Sequence, residues 1–194
     1  MANEPKQTED PLWIEGVEDV EQGLGYIREY TLKAQEAPSV KLLNEFSTFI
    51  RLAVQGNAPM SWGNTWLEMG KITYELLTTK FKGWSENDFK QLLVDKHKRY
   101  GSEPLARWGH VGLAIRVDSK VGRLERMVKD GNNGSGDETM VDTIADILGY
   151  SIMGMYMYEI GRQVAQAQQS KLVLTGDLGD EVTKVDHTLK LKGE

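Results

Sequence analysis

Residues 138–159 read ETMVDTIADILGYSIMGMYMYE, and two carboxylates, Asp142 and Asp146, stand one helical turn apart in an otherwise apolar, small and aromatic run. Like charges at i,i+4 repel by a few tenths of a kcal/mol (about 0.2–0.5) even in water. Burial makes an unpaired charge far more expensive. A compensating partner is therefore required. Carboxylates facing further carboxylates from a neighbouring helix form a hard, oxygen-only site suited to Mg²⁺ or Mn²⁺. The competing explanation is electrostatic: an acid in the first turn favours the helix dipole, which suits Asp142 and fits Asp146 less well.

The neighbouring helix has candidates. In the segment before the loop DGNNGSGD, Ala114, Val117, Val121, Leu124 and Val128 recur at helical spacing. Asp118 and Glu125 border that apolar stripe at i,i+7, while Arg116, Lys120 and Arg123 form a separate basic stripe on its far side. For Glu125 a salt-bridged helix edge is the competing reading. Glu68 and Glu75 lie opposite a tryptophan stripe and read as a solvated face. His97 and His110 lack a second histidine at ligand spacing, so no zinc site is expected. No nucleophilic triad and no glycine-rich phosphate loop followed by Lys-Ser/Thr is present.

The elements that must position these groups are helices throughout. Apolar periodicity predicts helices over about 17–35, 40–54, 61–82, 85–100, 107–129 and 138–169. Breaks fall at APSV, QGNAP, WSEND, KRYGSEP and DGNNGSGD. Ser85 with Asp88 approximates a capping box. The tail from Lys171 alternates and carries turn residues, which predicts an extended arm. The fold class expected is all-α, a helical bundle, with a flexible stretch over 1–16, one domain over 17–170 and the arm over 171–194.

Composition narrows the function. The chain has 194 residues, 40% hydrophobic and 27% charged, enough to bury a core. A net charge of −6 with no Lys/Arg run argues against a stable nucleic-acid complex. Cysteine is absent, which excludes disulfides and thiolate metal sites. No secretory leader is expected in MANEPKQTEDPLW, and the apolar stretch Ile147–Tyr158 is too short for a bilayer, so a cytoplasmic protein is expected.

HKRYGSEPLARWGHVGLAIRVDSKVGRLERM, followed by the Gly/Asn loop and ETMVDTIADILGYSIM, resembles the phage and bacterial nucleotide-modification-associated domain, within the all-α MazG-like pyrophosphohydrolase group. The matching positions are Tyr100-Gly101, the stretch from Ile115 to Leu124, and Asp142 to Tyr150. Ser119 separates Asp118 from Lys120, and the group's usual Glu-rich pairs are absent; Asp118, Glu125, Asp142 and Asp146 stand in for them. The resemblance spans about residues 95–158 and implies a family-like core over about 84–169, after an N-terminal helical extension. It implies Mg²⁺-dependent hydrolysis of a nucleoside triphosphate to monophosphate and pyrophosphate. Asp118, Asp142 and Asp146 would hold Mg²⁺ (or Mn²⁺), and Asp118 and Glu125 would be catalytic. Lys96, Arg116, Lys120 and Arg123 would clamp phosphates, with Tyr100 or Trp108 stacking on the base. A homodimer or homotetramer in the host cytoplasm completes that expectation. The alternative is a nucleotide-binding protein that sequesters its ligand, or serves nucleotide modification, without turning it over.

Overall fold

The computed structural model describes residues 14–33, 36–56, 61–101, 107–131 and 139–175. Among them are the helices α1 (Val17–Glu29), α2 (Val40–Val54), α3 (Trp62–Lys80), α4 (Glu86–Tyr100), α5 (Gly109–Lys129) and α6 (Met140–Thr175), and no strand. The all-α class is thus established. None of these helices is long and apolar enough to cross a membrane. The chain divides into two compact units, one through Tyr158 and one from Glu159. In the second, the helix continues to Thr175, and Arg162 pairs with Glu159 at 2.8 Å. Residues 171–175, expected in the arm, are therefore helical; the remaining arm and residues 1–13 lie outside the described residues.

The helix starts follow local chemistry. Ser39 Oγ accepts from Leu42 N–H at 3.1 Å, and Ser85 Oγ accepts from Asp88 N–H at 3.2 Å. At α1 the N-cap is glycine, and Asp19 takes over by accepting from the N–H groups of Glu15 and Gly16. Each cap satisfies donors that the first turn leaves without helical partners.

The first half of α6 is apolar over most of its circumference because several helices pack on it. Thr143, Ile144, Ile147, Leu148, Ser151 and Ile152 are all buried. Along α3, Gly63, Trp66 and Gly70 meet Tyr158, Gly154 and Ser151 in that order. On α1, Gly23 lies against Ile152, and Tyr156 Oη donates to Asp19 carbonyl oxygen. On α4, Leu93 packs on Gly149 and Lys96 reaches Asp146. On α5, Lys120 reaches Asp146. On α1 and α3 residue numbers rise as those of α6 fall. These two helices therefore run opposite to α6. The remaining helix, α2, packs along α5 and touches α3.

Small residues on α6 permit this crowding. A Cβ at Gly154 would stand 2.4 Å from the ring of Trp66. That ring cannot retreat: it is fully buried, and its Nε1–H donates to His110 Nδ1 at 3.0 Å. The imidazole in turn stacks on Trp62, with centroids 4.8 Å apart. Outside the core, Arg28 pairs with Glu21 and with Glu86 at 2.9 Å, and Lys90 pairs with Glu21 at 2.8 Å, tying α1 to α4. Glu68, expected on a solvated face, is instead 5% exposed; it accepts from Lys33 N–H at 3.0 Å and faces Tyr30, whose hydroxyl burial and the carboxylate push up to about 12.

Two outcomes follow. Gly154→Ala gains some helix propensity but overpacks the Trp66 seat, and the balance lowers unfolding free energy by about 1–2 kcal/mol in chemical denaturation. The Trp66 bond needs a neutral His110, and burial holds that imidazole below its ordinary 6.5. As pH falls through that value, the unfolded chain takes up a proton that the folded ring resists. Stability present above pH 6.5 is then lost on acidification, by at most about 1.4 kcal/mol per pH unit. Melting temperature between pH 7.5 and 5 should fall less steeply in His110→Gln than in the wild type.

Candidate functional site

The two aspartates of α6 part company. Thr139 precedes the helix, and its Oγ1 accepts from Asp142 N–H at 3.2 Å. Asp142 Oδ2 accepts in return from Thr139 N–H at 2.9 Å and from Thr139 Oγ1–H at 2.7 Å. This is a reciprocal capping box with aspartate in the third position. The backbone N–H of Thr139, then its hydroxyl, holds the Asp142 carboxyl below the usual carboxylate range. Asp142 is exposed and serves its own helix.

Asp146, one turn on, is compensated by cations from two helices. Lys96 Nζ on α4 stands 2.6 Å from Oδ1, and Lys120 Nζ on α5 stands 2.8 Å from Oδ2. The Asp146 side chain is 20% exposed, so these contacts are only partly screened by water. The basic stripe of α5 thus meets Asp146, and the acidic edge does not. Asp118 and Lys120 are two residues apart, or about 200° around the helix, so they cannot face the same neighbour. With Lys120 turned to α6, Asp118 turns to α2, where it accepts from Ser47 Oγ–H at 3.0 Å and lies 3.9 Å from Arg51. Glu125, further along α5, is exposed.

Asp118, Asp142 and Asp146 are therefore not brought together. Among the described residues, no group of three His, Cys, Asp or Glu side chains could hold a metal ion. One carboxylate is committed to a serine and an arginine, one to a cap, one to two lysines. These residues do not fit the resident Mg²⁺ or Mn²⁺ expected from the sequence.

What α4, α5 and α6 do enclose is a cleft of about 470 Å³. Phe89, Leu92, Leu93 and Met153 give it an apolar wall; Tyr100, His97 and Tyr150 add aromatic rings; Lys96, Arg116 and Asp146 supply its charges. Gly101 closes α4 beside it with φ +68° and ψ 176°, a backbone conformation open to glycine and strained for other residues. Burial, followed by the nearby Asp146 carboxylate, pushes the Tyr150 phenol above its ordinary value. Of the five substrate-binding candidates, Lys96, Tyr100 and Arg116 line the cleft; Lys120 supports it through Asp146, and Arg123 lies outside the lining. Trp108 is 69% exposed and also outside it.

Sequence reasoning missed His97, Tyr150 and the wall. Phe89, Leu93 and His97 recur every fourth residue on α4, so the signal was a buried histidine continuing an apolar stripe. No family model matches the chain, and no curated protein and no solved structure matches it.

The cap and the ion pairs separate experimentally. Thr139→Ala and Asp142→Asn should each cost about 1 kcal/mol in urea denaturation, the ordinary worth of an N-cap. The loss should be the same with Mg²⁺ as with chelator, because Asp142 acts on the backbone rather than on a metal.

Proposed function

We propose that the protein binds a nucleotide in the cleft between α4, α5 and α6. One observation carries this: about 470 Å³ of space joins an apolar and aromatic wall to two cations, Lys96 and Arg116. That volume falls within the range of small-molecule sites, about 300–1,000 Å³. Arg116 presents a planar fork suited to phosphate oxygens, and Lys96 a point charge. The base lies on the wall of Phe89, Leu93 and Met153, with Tyr100 at the mouth as a stacking platform. In this reading the protein sequesters or presents its nucleotide and assembles as a homodimer or homotetramer in the cytoplasm of a phage-infected host.

The second reading is the triphosphate pyrophosphohydrolase that the sequence resemblance implies. One observation favours it: Asp142 lies within the field of both lysines that hold Asp146, so both carboxylates belong to one electrostatic cluster beside the cleft. Product chromatography after incubation with a nucleoside triphosphate panel and Mg²⁺ separates hydrolysis from retention.

Equilibrium dialysis with mono-, di- and triphosphates tests binding itself. Arg116→Ala and Lys96→Ala should each weaken retention about tenfold, within the range of charge-assisted hydrogen bonds. Arg123→Ala, outside the lining, should leave it within about twofold. Absence of saturable binding by every nucleotide tried would remove the proposal.

A further inference from the structure

Asp146 occupies an unusual place for a carboxylate beside a phosphate site: it already sits on one of the cations that phosphate would need. A carboxylate oxygen and a phosphate oxygen accept from the same ammonium donors. The two lysines on Asp146 are not equivalent. Lys96 is 43% exposed and lines the cleft, whereas Lys120 is 22% exposed and lies outside the lining. Lys96 can thus turn to an incoming anion while Lys120 keeps Asp146 compensated. Losing both partners would strand a carboxylate that is only 20% exposed; losing one does not.

We propose that Asp146 is an internal anion that competes with the ligand's phosphate for Lys96, with Lys120 anchoring the carboxylate when the ligand takes over. This rests on the cleft's being a phosphate site. It makes Asp146 an affinity-lowering residue, the opposite of what a metal ligand does. An anion with a single weak contact does not displace the carboxylate. One that engages Lys96 and Arg116 together does, so the exchange favours diphosphate and triphosphate groups over lone phosphate.

The test uses the full chain and inorganic pyrophosphate, followed by calorimetric titration at fixed salt, with cooperative melting recorded for every variant. Asp146→Asn removes the competing charge and should tighten pyrophosphate binding about tenfold, while Asp146→Glu keeps the competitor and should stay near wild type. Asp142→Asn is the control for the general field: it removes the same charge one turn away, bound to Thr139 rather than to a lysine, and should change affinity less than threefold. Equal tightening by Asp142→Asn and Asp146→Asn overturns the inference, because net charge alone then explains both. Unchanged or weaker binding by Asp146→Asn, with the wild type binding, also overturns it and leaves the nucleotide reading intact. Loss of the cooperative melt in Asp146→Asn and Asp146→Ser overturns it too, since a carboxylate required for folding is not an exchangeable ligand. Failure of wild type and Asp146→Asn alike to bind pyrophosphate or any nucleotide overturns both proposals together.

Discussion

Close approach of neighbours to the first half of α6 is the constraint on which the rest of the first unit depends. A helix packed by several neighbours is approached most closely where its own side chains are small. Gly154 seats the Trp66 ring, Gly149 seats Leu93, and Ser151 makes room at Gly70 of α3. Ser151 and Thr143 turn their hydroxyls back onto carbonyls of their own helix, so burial strands no polar group there. Packing near organic-crystal density leaves little slack around these seats. The bundle's position in space is thus set by a few missing atoms on one helix.

That arrangement also determines the electrostatics. Once α4 and α5 are drawn onto α6, Lys96 and Lys120 arrive from two helices at the two carboxylate oxygens of Asp146. The like charges at Asp142 and Asp146 are each met by groups of the protein itself. One is absorbed by the helix start, and the other by two ammonium groups. The cleft lies beside that contact: α4 lines it from Phe89 to Gly101, so an apolar wall before Lys96 and an aromatic ring after it face one space with Lys96 and Arg116.

Helix number, order and class were legible in the sequence, since each depends on periodicity and breakers within one segment. α2 falls where its apolar spacing and Ser39 place it. What stayed hidden were rotations between helices. The sequence shows that Asp118 and Lys120 lie on different sides of α5; it does not show which side α6 takes, because α2 also needs a partner. Choosing the acidic edge placed a metal among Asp118, Asp142 and Asp146. Choosing the basic stripe gives the ion pair that is present. Glu68 failed for the same reason: its helix has two buried faces, and the second is covered by Tyr30 and Lys33 after the end of α1.

The opposition of these two choices has a mechanistic consequence. A carboxylate ringed by carboxylates is repelled by its surroundings and gains from a cation delivered by solvent. A carboxylate held by two lysines of unequal exposure is already neutralised, and gains nothing from a cation until a lysine leaves. The agent able to draw Lys96 away is an anion. Under the proposed exchange at Lys96, the same Asp146 belongs to a site that answers to phosphate first, with affinity set by how well a ligand competes with a residue the protein already supplies.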